Sequence, residues 1–196
     1  MNDKIDYIIV VTNESYVDQV SVWCKQYDLS KVKYIVSGGD SRQKSVFCGL
    51  TKLKEVGIKD DDNLLIHDSA RPLISQTIID DNIKLCDQFG AVDTVIPSAD
   101  TIIRSINQES IHEIQKRSEL FCGQTPQSFK FNIIWDAHIL ANKTNNTDTT
   151  DDCKLVINLG KEVHLAMGSK LNFKITTFDD LMMLKALLKI GKSEVI

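Results

Sequence analysis

The first apolar cluster in the chain is Tyr7-Ile8-Ile9-Val10-Val11, five residues rich in β-branching. Such a run predicts a strand buried on both faces, as in a parallel sheet. From Tyr16 to Tyr27 the period changes, and Val17, Val20, Trp23 and Cys24 fall on one stripe of a helix. Val32 to Ser37 predicts a second strand, closed by Gly38-Gly39. Ser41 to Val56 predicts a helix with Val46, Leu50 and Leu53 in register. Asn63 to His67 reads as a third strand. A helix capped by Ser75 and stopped at Gly90 follows, then a fourth strand from Ala91 to Ile96.

Strand and helix alternating over short links predict right-handed βαβ units and a doubly wound, mostly parallel α/β sheet. The alternation then breaks. Asp100 to Ile114 reads as a hairpin turning at Asn107-Gln108-Glu109 and leaving the main body. Lys130 to Asn142 returns to helical spacing, and Asp151 to Leu159 predicts a short helix closed by Gly160. Strands are expected at Val163 to Met167 and Phe173 to Ile175. A last helix, capped by Thr177, is expected to end at Gly191. Trp23, Trp135 and Phe129 are expected in the core.

Composition narrows the function classes. The 196 residues, 42% hydrophobic and 26% charged, suit one globular domain over residues 1–196. A net charge of −4 argues against a nucleic-acid coat or a basic membrane binder, so any bound anion needs a few placed cations. No apolar run approaches the roughly 20 residues of a membrane span, and no basic segment opens a signal peptide. Five cysteines without metal-ligand spacing predict reduced thiols in a cytoplasmic protein.

Ligands of open parallel sheets bind beyond the carboxyl ends of the strands. Two polar clusters fall there. Gly38 to Ser45 opens a helix with free N–H groups, where Asp40 and Ser45 could meet a heterocycle and the plain alternative is a capped, solvated turn. His67-Asp68-Ser69-Ala70-Arg71-Pro72 offers a carboxylate for a divalent metal and a guanidinium for a phosphate; the plain alternative is an Asp68–Arg71 ion pair. Lys174, taken alone, reads as a solvent-facing lysine. No Gly-x-Ser-x-Gly, Walker motif or Cys–His pairing supports covalent catalysis.

Together, Gly38-Gly39-Asp40-Ser41-Arg42-Gln43-Lys44-Ser45-Val46, His67-Asp68-Ser69-Ala70-Arg71-Pro72, Asp100-Thr101-Ile102, Arg117-Ser118-Glu119-Leu120, Gln124-Thr125-Pro126-Gln127, Thr150-Asp151-Asp152 and Asn172-Phe173-Lys174-Ile175-Thr176 resemble the sugar-alcohol-phosphate cytidylyltransferases. That family joins D-ribitol 5-phosphate (for wall teichoic acid and capsule) or 2-C-methyl-D-erythritol 4-phosphate (for isoprenoids) to CTP. The segments recur in family order, and those around Thr125 and Thr150 resemble the ribitol-phosphate branch more. The resemblance implies a Rossmann-like nucleotidyltransferase with a protruding β-arm, residues 100–115. Gly39, Asp40 and Ser45 would face the cytosine, with Arg42 ordering their loop. Asp68 would lie by Mg²⁺ and the α-phosphate, and Arg71, Thr101, Arg117 and Lys174 would grip the acceptor phosphate. Thr125 and Thr150 would line the polyol pocket. The arm would cross to a second subunit of a homodimer, so that Thr101 and Arg117 act in trans. No nucleic acid or membrane is implied.

One family feature is absent from the sequence. The opening strand and its Ala-x-Gly-x-Gly-x-Arg phosphate loop are not present, and nine glycines and three prolines are about half the usual share. The expectation is an N-terminally shortened member, its gap between the Tyr7 and Asn63 strands. Losing one preorganised donor costs about 10²–10³ in rate, so losing the loop is expected nearly to abolish turnover. A non-catalytic dimer partner and a nucleotide-binding domain of another kind are the competing readings.

Overall fold

A computed structural model describes residues 2–145, 149 and 151–193. Its elements follow the βα alternation. β1 (Ile8–Thr12), α1 (Val17–Gln26), β2 (Val32–Ser37), α2 (Arg42–Glu55), β3 (Asn63–Ile66), α3 (Gln76–Phe89) and β4 (Ala91–Pro97) each lie within about a residue of their sequence limits. The boundaries have local causes. Ser41 and Ser75 accept the backbone N–H groups of Lys44 and Ile78, and Gly90 ends α3 at φ 82°. β5 (Ile103–Arg104) and β6 (Glu113–Ile114) form the expected hairpin, where the Asn107 side chain accepts the N–H groups of Glu109 and Ser110. β7 (Phe121–Lys130), α4 (Phe131–Lys143), α5 (Asp152–Asn158), β8 (His164–Met167) and α6 (Phe178–Ser193) complete the chain.

Strand order is β3-β7-β4-β8 in one sheet and β1-β2 in another. β7 runs antiparallel to β3 and β4, while β4 and β8 are parallel. Thus β3, β4 and β8 share one direction and β7 opposes them. Helices cover both faces of this sheet. α3 covers one, packing Cys86 against Val92 and Ala166. On the other lies the main core, in which Leu50 and Leu53 of α2 meet Phe129, Phe131, Ile134, Ala137, Leu155 and Val156. Each fully buried large apolar side chain contributes about 1.5–3 kcal/mol. Tyr7 and Ile9 join the same core as Leu64 and Ile66, yet β1 and β3 share no hydrogen-bonded ladder among the described residues. No described helix is long and apolar enough to cross a membrane.

Several expectations need correction. β1 is half-buried, not buried on both faces, because an unpaired edge leaves its flank open. Trp23 is 45% exposed, since α1 covers β2 at the outer end of the smaller sheet. Phe129 is fully buried as expected. Residues 173–175 form no strand; they cross the loop after β3, with the Ile175 N–H on the Ala70 carbonyl. α6 runs through Gly191 to Ser193.

β7 is the strand without a clear sequence signal. Its middle residues, Gln124 to Phe129, are all buried, yet only Phe129 is a large hydrophobe. Side-chain bonds replace apolar contact. Ser128 donates to Asn82 Oδ1 at 2.8 Å, Asn82 Nδ2 donates to Thr94 Oγ1 at 2.9 Å, and Thr94 donates to the Pro126 carbonyl at 2.6 Å. An unsatisfied buried polar group costs about 1–3 kcal/mol. Asn82→Ala therefore strips Thr94 and Ser128 of partners and is expected to lower unfolding stability by roughly 2–4 kcal/mol. A urea-denaturation midpoint equal to that of the parent would contradict this.

Candidate active site

The loop after β3 turns back at Asp68, whose carbonyl accepts the Arg71 N–H. Arg71 Nε lies 3.9 Å from Asp68 Oδ2, and Lys174 Nζ lies 2.9 Å from the same oxygen. Two cations and a carboxylate, up to 106 residues apart in sequence, thus meet beyond the carboxyl end of β3. Burial raises the Asp68 carboxyl, but the Lys174 ammonium, with Arg42 and Arg71, holds it below the ordinary carboxylate range. Lys174 is solvent-exposed, as its local sequence reads, and is also paired with Asp68.

Thr125 and His67 shape this turn. The Asp68 N–H donates to Thr125 Oγ1 at 3.0 Å. His67 Nε2 lies 3.0 Å from the Arg71 carbonyl, which only accepts, so Nε2 carries the proton. His67 Nδ1, 3.0 Å from Thr125 Oγ1, then accepts the threonine proton. The hydroxyl's one donor is therefore spent inside the protein. His67 was not singled out in the sequence, although its place beside Asp68 at a strand end is the signal for it.

The turn from Gly38 to Ser45 is equally constrained. A Cβ on Gly38 would lie 2.7 Å from Ser45 Oγ, and one on Gly39 would come within 2.4 Å of Lys44 Cβ. Only glycine allows this approach. Ser45 Oγ accepts the Gly39 N–H at 3.2 Å and donates to the Ser41 carbonyl at 2.9 Å. Asp40 is exposed, paired with Lys44 at 2.8 Å. Arg42 reaches inward to Asp152 Oδ2 at 2.8 Å, and Asp152 Oδ1 lies 3.1 Å from His138 Nε2. Asp152 and His138 have fully buried side chains, and neither carries a signal in isolation. Gln43 Oε1 accepts the Thr149 N–H at 2.9 Å, tying the same turn to the loop before α5.

Further polar side chains gather behind the cluster. Gln127 Nε2 lies 2.9 Å from Asp93 Oδ1 and 3.1 Å from both Asp151 oxygens. Burial pushes the Asp93 carboxyl up to about 6, with Asp151 adding to the rise. The structure thus brings Asp68, Arg71, Lys174 and Thr125 together, with the charge of Arg42 felt at Asp68. Thr101 and Arg117 stand with the exposed arm and neither bonds to that cluster. Thr150 lies outside the described residues.

One acidic side chain, Asp68, faces the cations, and no group of three metal-ligating side chains occurs among the described residues. This set suits a magnesium ion that keeps water and phosphate ligands and takes one carboxylate from the protein.

The model of the 2-C-methyl-D-erythritol 4-phosphate cytidylyltransferase family matches residues 1–190. Ribitol-5-phosphate cytidylyltransferase of Lactiplantibacillus plantarum is 36% identical over 190 residues, spanning 96% of this chain and 81% of that protein. Among solved structures, 4-diphosphocytidyl-2C-methyl-D-erythritol synthase from Anaerococcus prevotii superposes with a TM-score of 0.83 at 26% identity, over 96% of this chain and 81% of that one. Another crystal structure of that synthase gives 0.80 at 27% identity, covering 95% of this chain and 84% of that one.

Burial lowers the His67 imidazole below its ordinary 6.5, an effect larger than that of the Arg71 and Thr125 bonds, which raise it. The unfolded chain then binds this proton first as pH falls. His67 contributes stability above pH 6.5 and loses it progressively below. Asp93 works in the opposite sense, since its raised carboxyl favours the fold at low pH and loses that contribution as pH rises through about 6. Its part is common to both chains in a comparison. Between pH 6.5 and 5, His67→Gln is expected to show a weaker acid loss of denaturation midpoint than the parent; parallel curves would refute the assignment.

Proposed function

Because the chain belongs to the 2-C-methyl-D-erythritol 4-phosphate cytidylyltransferase family, we propose that it transfers the cytidylyl group of CTP to D-ribitol 5-phosphate, giving CDP-ribitol and pyrophosphate. Cytidylyl transfer to a sugar-alcohol phosphate is the family's activity. The choice of ribitol is supported by the 36% identity to the ribitol-phosphate enzyme, against 24–31% to the erythritol-phosphate structures. The alternative acceptor is 2-C-methyl-D-erythritol 4-phosphate.

The observation that carries the mechanism is the convergence of Lys174 and Arg71 on Asp68. An acceptor phosphate approaching CTP brings two anions together, and most of the catalysis is neutralisation and alignment. In this reading Arg71 and Lys174 hold the acceptor phosphate. One of its oxygens forms a bond to the α-phosphorus of CTP in line with the leaving pyrophosphate, whose bond breaks. Asp68 would hold magnesium, which when bound neutralises the α-phosphate and the departing pyrophosphate. The Thr125 hydroxyl fixes the Asp68 peptide, and Thr125 and Thr150 are the residues assigned to the polyol in this reading. Gly39, Asp40 and Ser45 receive the cytosine on a turn that Arg42 holds. The reaction is placed in the cytoplasm, where CTP is available.

We also propose a homodimer formed through the arm. Ile102, Ile103, Ile106, Ile111 and Ile114 are all at least 41% exposed there, beyond scattered surface apolars. A second copy would cover them and bring its Thr101 and Arg117 to the neighbouring site. Ile103→Lys with Ile114→Lys is expected to give a monomer in light scattering and weaker acceptor binding. A dimeric mass in the variant would rule out the arm as the interface, and a monomeric parent would rule out the dimer.

Thermal-shift titration and pyrophosphate release test the substrates. CTP with Mg²⁺ is expected to raise the melting temperature more than ATP, GTP or UTP. Pyrophosphate release is expected to require a polyol phosphate and to favour ribitol 5-phosphate. Equal protection by ATP and CTP would refute the nucleotide, and exclusive use of the erythritol substrate would refute the acceptor. Lys174→Ala is expected to lower the rate at least 10²-fold.

A further inference from the structure

Asn172 lies between β8 and α6, and its side chain is fully buried. A buried amide needs partners, and here they are the backbone of the site. Nδ2 donates to the Thr125 carbonyl at 2.8 Å and to Gln124 Oε1 at 3.2 Å. The Asn172 carbonyl accepts Arg71 Nη1 at 2.9 Å. Its own N–H donates to the Ser169 carbonyl at 3.0 Å, closing the turn that presents it. Gln124 locks that turn from the far side, donating to the Ser169 carbonyl at 2.9 Å and accepting the Ser169 N–H at 3.3 Å. Three residues on, the Ile175 N–H donates to the Ala70 carbonyl at 2.8 Å.

One residue therefore joins three separate segments: the end of the β3 loop, the middle of β7 and the strap carrying Lys174. Each segment supplies one group of the cluster, namely Arg71, Thr125 and Lys174. Arg71 Nε has no hydrogen-bond partner among the described residues, so the Nη1 bond to the Asn172 main-chain carbonyl is the hydrogen bond that orients its guanidinium there. A guanidinium grips a phosphate well only when its planar fork is aimed beforehand.

We propose that Asn172 is the positioning residue of the acceptor-phosphate grip: through its carbonyl and its amide it sets Arg71 and Thr125 in register with Lys174. This rests on the acceptor role proposed above for those three side chains. The chain's own geometry distinguishes this role from a general staple. The bonds of Asn172 lead to the acceptor side of the site and none leads to the turn from Gly38 to Ser45, so its loss acts on one substrate.

The test is calorimetric binding of CTP, ribitol 5-phosphate and 2-C-methyl-D-erythritol 4-phosphate to the full chain, the Asn172→Ala variant, the Arg71→Ala variant and the double variant. Asn172→Ala is expected to weaken the bound polyol phosphate about tenfold or more, a change of at least one hydrogen bond's worth, while CTP affinity shifts less than threefold. Asn172→Ala keeps the main-chain carbonyl that holds Arg71 but frees it to shift, since the Nδ2 bond to Thr125 no longer fixes it; in the Arg71→Ala background the same substitution is therefore expected to add less than threefold. Equal weakening of CTP and acceptor would show a general staple and overturn the proposal. So would independent, multiplying effects of the two substitutions. If Asn172→Ala does not fold, Gln124→Leu, which removes the second acceptor of the same amide, is held to the same two ratios. Failure of the parent to bind either polyol phosphate would overturn the acceptor reading itself; an acceptor that binds the parent and Asn172→Ala alike overturns this inference alone.

Discussion

A strand that buries glutamine, threonine, proline and serine at the centre of a sheet constrains everything around it. β7 cannot be stabilised there by apolar contact alone, so each polar side chain needs a partner from a neighbouring element. Those partners are the site. Gln124 reaches Ser169 and Asn172, Thr125 reaches His67 and Asp68, and Gln127 reaches Asp93 and Asp151. Fold stability and site geometry are met by the same bonds.

The electrostatics follow from that frame. Overall the chain is acidic, with a net charge of −4, so anion affinity comes from placement. Lys174 and Arg71 stand on different segments but face one carboxylate, which keeps them from repelling each other apart before an anion arrives. Arg42 contributes from a third segment, its charge divided between the buried Asp152 and the more distant Asp68. In the proposed reading, an incoming phosphate would compete for cations already gathered around one carboxylate.

The sequence made the alternating half of the fold legible because Ile8 to Val11, Val32 to Val36 and Ala91 to Ile96 are apolar runs between caps. It hid β7, since Gln124, Thr125, Gln127 and Ser128 interrupt every hydrophobic period. It also suggested a strand at Phe173 to Ile175, where the apolar residues flank a loop tied down at Ala70. Within the site, Asp68 and Arg71 announced themselves at a strand end. Lys174 entered through the family resemblance, because nothing local distinguishes it from a surface lysine. Asn172 bonds Arg71 101 residues away and His67 bonds Thr125 58 residues away, and no spacing rule reveals such partners.

The Arg42–Asp152–His138 contact has a consequence for energetics. The Asp152 side chain lies where water does not reach, and the guanidinium beside it comes from the first turn of α2. Letting that arginine swing outward would strand a carboxylate in a low-dielectric interior, at a cost of several kcal/mol. The turn bearing Gly38 and Gly39 is consequently tied to the interior through Arg42. Its ordering entropy is spent during folding, so a ligand that used this turn would not bear that cost on binding.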